Sequence, residues 1–501
     1  MEPTPKTDAA DHDASILGSM GYTQELMRRM SGFSNFAISF AIICILAGGI
    51  TAFPQGLSAG GGASIGIGWP VGALFALVVA LSMAQIASAY PTAGGLYHWS
   101  SILGNKGWGW ATAWFNLLGL IFVVASVNFG VYDPFFKTFI APLFHIDPDK
   151  LTFAHQTGFI VIVTTTQALL NHYRVHLTTR LTDLSGYLIL AIAVVLTLAL
   201  LVSAHGPLDF SRLVTFRNFT GFEGGAWPHQ GAVAAFLSGL LLTIYTIVGF
   251  DASAHTSEET HDAPRNVPRG MLRAVLWSSL FGYVMVCTFL LVLPDLEGGV
   301  KAGSGFFTIL LGTLPGWLSV PLGVGIFLAN YLCGLACLTS CSRMTYAFAR
   351  DGGLPASAWL KKVNDYGTPG AAIWVCSALA IAVTLYGDAF AVLSTGSAVF
   401  LYVSYVMPIA AGLNAEGRTW TRKGPFDLGK WSKPVALLAV LGGSVLVYVG
   451  CQPPNEKVLY VSLGLIGVMT LLWFGLGVRN RFAGPPDVRS ASTTPEVVTT
   501  F

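Results

Sequence analysis

Apolar positions in this chain fall into long blocks, separated by short breaks rich in charge, Pro or Gly. A helix needs about 20 apolar residues to cross the hydrocarbon core of a membrane. Twelve blocks qualify, at 36–53, 69–90, 108–132, 155–170, 184–204, 231–254, 274–293, 322–348, 371–386, 389–413, 434–450 and 458–478, the fourth and ninth being short. The pattern predicts an all-α membrane protein of about 12 transmembrane helices. Residues 1–32 read as a polar cytosolic arm ending in Arg28 and Arg29, and 33–480 as a single membrane domain. No apolar core followed by a cleavage site precedes the first block, which would act as an uncleaved membrane signal. The Pro/Ser/Thr-rich stretch 481–501 is predicted to be a disordered cytosolic tail.

The basic residues test that division independently. With alternate loops assigned to opposite sides, 21 of the 27 Lys and Arg fall on the side of the N-terminus and six on the other. Such a bias marks the cytosolic face and predicts that both termini are cytosolic, in a plasma membrane or a bacterial inner membrane. Composition agrees with a lipid-embedded bundle. The chain is 53% hydrophobic and 10% charged, against about 25% charged in soluble proteins. Its basic residues are dispersed among loops, which leaves no footprint for nucleic acid. Seven cysteines lie almost entirely in apolar blocks without a CxxC pair, so no disulfide or zinc framework is implied. Cys333, Cys337 and Cys341 stack on one helical face, where small packing residues are the ordinary reading and a soft-metal site the other.

Two blocks break helix rules in corresponding places. Ala47-Gly48-Gly49 sits in the middle of the first and Val248-Gly249 in the middle of the sixth. A single Gly in a span usually serves packing, but interrupted helices in matching positions of two halves mark the substrate site of inverted-repeat carriers. Spans one to five (about 33–205) and six to ten (about 230–413) would form a five-plus-five inverted repeat, with two further helices at 434–478. Unwinding at midplane frees amides and carbonyls that water cannot satisfy. A zwitterion supplies both partners: its carboxylate at the amides of Gly48, Gly49 and Ile50 on a helix N-terminus, its ammonium at carbonyls near Ile45, Tyr245 and Val248.

Asp251, just past the second break, is the one acidic residue placed inside the membrane, where a charge is costly and usually functional. It is a candidate proton carrier or partner for a substrate cation; the bland reading is a helix-end carboxylate reached by water. Thr339 and Ser340 in the eighth span offer oxygens for sodium, or simply bond their own backbone. The fifth span holds no Lys to act as a built-in cation. Proton coupling, sodium coupling and plain exchange therefore stay open, and no other cofactor is implied.

Four stretches carry a family resemblance: GYTQELMRRMSGFSNFAISFAIICILAGGI, SAYPTAGGLYHWSS, VGFDASAHTSEETHDAPRNVPRG and SRMTYAFARDGGLP. In order and spacing they resemble the amino acid-polyamine-organocation (APC) superfamily, within it the amino acid/choline, GABA permease-like branch. The resemblance implies a secondary active permease with alternating access and broken helices 1 and 6. It assigns the breaks, including Ala47, Gly48, Gly49, Val248 and Gly249, to the α-amino and carboxylate groups of an amino acid, and makes Tyr245 a candidate gate. Pro91, Gly94, Gly95 and Tyr97 match its PxxGG motif, read as a hinge and packing element on the cytosolic side, and Arg343 and Arg350 would pin loops. Ala47 stands where many relatives carry a hydroxyl-bearing triplet, so recognition there would rest on backbone alone. Substrates expected first are GABA and neutral amino acids, then choline or polyamines; Asn128 and Asn330 either line the pocket or hold helices together. Scattered His residues and the absence of HExxH, GxSxG or paired carboxylates within any of the twelve predicted blocks argue against a membrane enzyme, and nothing resembles a channel filter.

Overall fold

The computed structural model describes residues 6–204, 206–386 and 390–486. Among these residues, regular structure is helical apart from isolated bridges such as Met30 with Thr260. Nine helices are long and apolar enough to cross a membrane: Gly32–Thr51, Gly62–Ala89, Lys106–Leu143, His176–Val202, Ala263–Val292, Gly316–Arg350, Phe390–Ala415, Gly429–Gly450 and Glu456–Gly475. Phe153–Tyr173 and the shorter apolar helices Ala232–Thr246 and Gly370–Leu385 fall at the remaining predicted blocks, in keeping with a roughly twelve-helix fold. They are numbered here as spans 1 to 12 in chain order.

Burial sorts the spans by position. The apolar window of span 1 is 89% buried, whereas that of span 12 is 11% buried. Span 1 is therefore wrapped by other helices, while span 12 turns Leu463, Ile466 and Phe474 outward, as a lipid-facing helix must. Span 10 packs along span 3, and span 7 packs against spans 1 and 2. Span 3 continues as a wide-turn helical segment, Val131–Ile140, around Pro134, whose missing N–H cannot serve an ordinary helical bond.

Short helices fill links that the block pattern left as loops. Phe53–Gly60 and Gly62–Gly66 follow span 1, Leu96–Leu103 joins spans 2 and 3, and Leu296–Ala302 and Phe306–Gly312 lead into span 8. The link between spans 5 and 6 lies over the first pair: Arg217 N donates to Gly60 O at 3.3 Å, Ala63 N to Thr215 O at 3.1 Å, and Trp227 Nε1 to Gln55 O at 2.8 Å. The arm is folded as well. After the helix Lys6–Ser19, Leu17, Met20, Tyr22 and Leu26 are buried against the bundle. Asp13 accepts hydrogen bonds from Asp262 N at 2.7 Å and Ala263 N at 3.3 Å, satisfying orphan amides at the start of span 7 with a negative charge. At the other end Phe482 is buried beside Tyr97, Phe348 and Trp473. Most of the tail predicted to be disordered, 487–501, lies outside the described residues.

Gly62 shows how tightly the short helices are held. A Cβ there would lie 1.6 Å from the Arg212 carbonyl oxygen, whereas one at Gly464 meets nothing within 4 Å. Gly62→Ala should destabilise the purified protein by about 1–3 kcal/mol through overpacking, lowering its melting temperature in detergent, while Gly464→Ala should melt like the parent.

Candidate functional site

Span 6 is interrupted between Leu241–Thr246 and Ala252–His255. Ile247 leaves the helix at φ −100°, ψ 57°, and Gly249 takes φ +90°. A Cβ at 249 would stand 2.2 Å from Ile42 Cγ2, so both dihedral and space require glycine. Neighbours satisfy part of the released backbone. Tyr402 Oη donates to Ile247 O at 3.0 Å, Gly249 N donates to Tyr405 Oη at 3.0 Å, and Ser39 Oγ donates to Phe250 O at 2.9 Å. Among the described residues no donor reaches the carbonyls of Tyr245, Thr246 and Val248.

Span 1 is also interrupted, but the break corrects the predicted position. It falls at Cys44 (φ 30°, ψ 82°), and Gly48, Gly49 and Ile50 lie inside the following half-helix Ile45–Thr51. Gly48 N already donates to Cys44 O at 2.9 Å. The two glycines serve close approach instead: a Cβ on Gly48 would meet Thr246 Cα at 2.8 Å, and one on Gly49 would meet Met285 Cε at 3.0 Å. The amides left without a helical acceptor are those of Ile45, Leu46 and Ala47. The Ile45 carbonyl, at the start of that half-helix, is taken up by the helix and is not the released acceptor expected of it. Gly48 against Thr246 and Ile42 against Gly249 set the two breaks side by side. Free amides on one break thus adjoin free carbonyls on the other.

Tyr245 is buried at this junction. Its hydroxyl donates to Ser126 Oγ of span 3 at 3.1 Å, and its ring meets Phe390 of span 10 edge-on at 5.5 Å. Asp251 is fully buried. Its Oδ1 accepts from Tyr405 Oη at 2.8 Å, and its Oδ2 lies 3.1 Å from both Asn116 Nδ2 and His255 Nε2. The sodium-site candidates are placed differently. Thr339 Oγ1 donates to Asn171 Oδ1 of span 4 at 2.7 Å and to Leu335 O at 2.9 Å, the back-bonding of an ordinary packing hydroxyl. Ser340 Oγ is buried without a partner. Asn128 ties span 3 to Gln167 and Thr164 of span 4, while Asn330 Oδ1 is buried and unpartnered.

Below the breaks, charged residues close the bundle on the side of the arm. Arg350 grips Glu258 through two contacts of 3.0 Å, Arg343 pairs with Glu259 at 2.9 Å, and Glu258 Oε1 also accepts from Ala93 N at 3.0 Å. The Arg350 guanidinium lies 4.1 Å from the centre of the Tyr22 ring, and Tyr22 and Tyr97 both donate to Asp351 Oδ2, at 2.8 and 3.0 Å. Burial, then the Asp351 carboxylate, push the Tyr22 hydroxyl far above its usual range, so it stays a donor.

Sequence reasoning missed Tyr402, Tyr405, Asn116 and His255. The signals were available only in part: His255 follows Asp251 by one helical turn, and Tyr402 and Tyr405 share a face of span 10, but nothing in a linear chain brings span 10 to span 6.

Residues 30–474 match the family model described as amino acid permease. The amino-acid permease BAT1 of Arabidopsis thaliana is 34% identical over 94% of this chain and 95% of its own length. Its homolog in Oryza sativa subsp. japonica is 33% identical over 96% and 98%. The GABA-specific permease of Saccharomyces cerevisiae is 29% identical over 86% of this chain and 76% of its own.

Tyr402→Phe should leave the Ile247 carbonyl buried without a donor and cost about 1–3 kcal/mol of stability, read as a lower melting temperature. Gly249→Ala should abolish transport outright, because both its φ and its contact with Ile42 exclude a side chain.

Proposed function

The chain belongs to the amino acid permease family, a family of membrane transporters and not of enzymes, and from that premise we propose that its substrate is a small zwitterion, a neutral amino acid or GABA, carried by alternating access. One observation carries the reading: the amides of Ile45, Leu46 and Ala47, which have no helical acceptor, adjoin the carbonyls of Tyr245, Thr246 and Val248, which no donor among the described residues reaches. A ligand with a carboxylate and an ammonium completes both sets at once, and the positive end of a half-helix favours the carboxylate. Tyr245, bridging spans 6 and 3 through Ser126, is the lid that would leave when the site opens away from the arm. A choline or polyamine substrate fits less well, because neither brings a carboxylate for the three amides at the positive end of the half-helix. The arm and the Arg350–Glu258 and Arg343–Glu259 pairs lie on the basic-rich side, which we assign to the cytosol, together with both termini, in a plasma membrane or bacterial inner membrane.

Proteoliposomes holding the full chain should take up radiolabelled GABA or alanine saturably and exchange them in counterflow. Excess choline or putrescine should leave that uptake unchanged. Uptake of choline or putrescine with none of either amino acid would overturn the zwitterion reading. A tag on the N-terminus should be reached by protease only from the cytosolic side.

A further inference from the structure

Asp251 and His255 form a fully buried acid–imidazole pair one helical turn apart, 3.1 Å from Oδ2 to Nε2. The other ring nitrogen, Nδ1, lies 3.2 Å from the Ala93 carbonyl oxygen. A carbonyl can only accept, so Nδ1 carries a hydrogen. Nε2 then either donates a second hydrogen to the carboxylate or accepts one from the carboxylic acid. In both cases one proton beyond a bare carboxylate and a neutral imidazole sits between the two side chains. Without it, two lone pairs would face each other at 3.1 Å.

The groups around the pair are accounted for. Span 3 presents Asn116, span 10 presents Tyr405, and the turn of residues 91–95 presents the Ala93 carbonyl and Gly95, whose Cβ would stand 3.4 Å from the imidazole. Span 1 presents Ser39 and Asn35 to the neighbouring Ser253. The charged groups that follow, Glu258 and Glu259, are already paired with Arg350 and Arg343, and His98, beyond the turn, bonds Thr92. Asp251 is already engaged by three side chains, which fits a proton carrier better than a direct partner for a substrate ammonium.

Ala93 links this proton to the cytosolic closure. Its carbonyl takes the His255 bond, and its amide donates to Glu258 Oε1 at 3.0 Å, on the carboxylate that holds Arg350 over Tyr22. Resting on the permease reading above, we propose that the proton shared by Asp251 and His255 is the coupling ion, and that Ala93 ties its retention to the Glu258–Arg350 closure. On binding, a proton from the outer solution joins the pair and holds the ring against Ala93. When the loaded carrier opens to the cytosol, the parting of the Glu258–Arg350 closure draws the Ala93 carbonyl off the ring, and the proton leaves the uncovered pair for cytosolic water.

The test uses the full chain in proteoliposomes containing a trapped pH dye, with labelled GABA or alanine, whichever the parent protein exchanges. In the parent, substrate uptake should acidify the lumen, and an inward proton gradient should raise accumulation at least tenfold where a sodium gradient does not. Asp251→Asn and His255→Gln should each lose the lumen acidification and the gradient-driven accumulation, with counterflow reporting whether the variant still folds and binds. Glu258→Gln should keep proton movement but leak substrate outward without a gradient. Gradient-driven accumulation surviving in both pair variants would overturn the proposal. Should the variants lose counterflow too, the parent decides: intact counterflow without lumen acidification also overturns it, and acidification with proton-driven accumulation supports it. Absence of counterflow in the parent would sink the permease reading instead.

Discussion

Backbone polar groups at membrane depth have no water to turn to, and the centre of this molecule is built around that constraint. Each interrupted span releases amides and carbonyls that cost several kcal/mol apiece if left bare in an apolar medium. Span 10 answers much of this for span 6. Tyr402 reaches the Ile247 carbonyl and Tyr405 the Gly249 amide, the latter while also donating to Asp251. Span 1 supplies Ser39 to Phe250, and Asn35 to the Ser253 carbonyl. Among the described residues, the backbone groups left over lie where the two breaks meet, and it is this deficit that the proposed zwitterion would fill.

The same economy explains why glycines are concentrated here for two different reasons. Gly249 adopts a left-handed dihedral inside the break, whereas Gly48 and Gly49 are ordinary helical residues that let span 1 touch spans 6 and 7. Both uses look identical in the sequence, since each is a glycine in the middle of an apolar block. The break in span 1 was therefore expected at the glycines, while it falls at Cys44, a residue whose positive φ carries no signature in its identity. Cys333 Sγ, 3.4 Å from the Ile42 carbonyl, helps hold that break and gives one of the stacked cysteines a plain structural task.

Away from the breaks, the closure facing the arm is made of charges rather than apolar packing. Glu258, Glu259, Arg343 and Arg350 are all buried or nearly so, and each carboxylate has a guanidinium partner. Breaking a buried pair by removing one partner leaves an uncompensated charge, so such a closure is either whole or open. The folded arm, with Tyr22 under Arg350 and Asp13 on the start of span 7, belongs to the same charged cluster.

What the sequence determined by itself is what depends on composition over a window of twenty residues. That covers the helical membrane class, the positions of the twelve helices, the basic bias between their two faces, and the break in span 6, where Val248-Gly249 and Asp251 stand together. These follow because burial in lipid acts on every residue of a span at once and so leaves a periodic, redundant trace. The tertiary structure decided the rest: the break at Cys44, the short helices in the links, the turn of Thr339 toward Asn171, and the convergence of Asn116, Tyr405 and His255 on Asp251. Those depend on single hydrogen bonds between residues from 4 to 291 positions apart, and a lone polar side chain in an apolar block does not announce which distant neighbour it will meet.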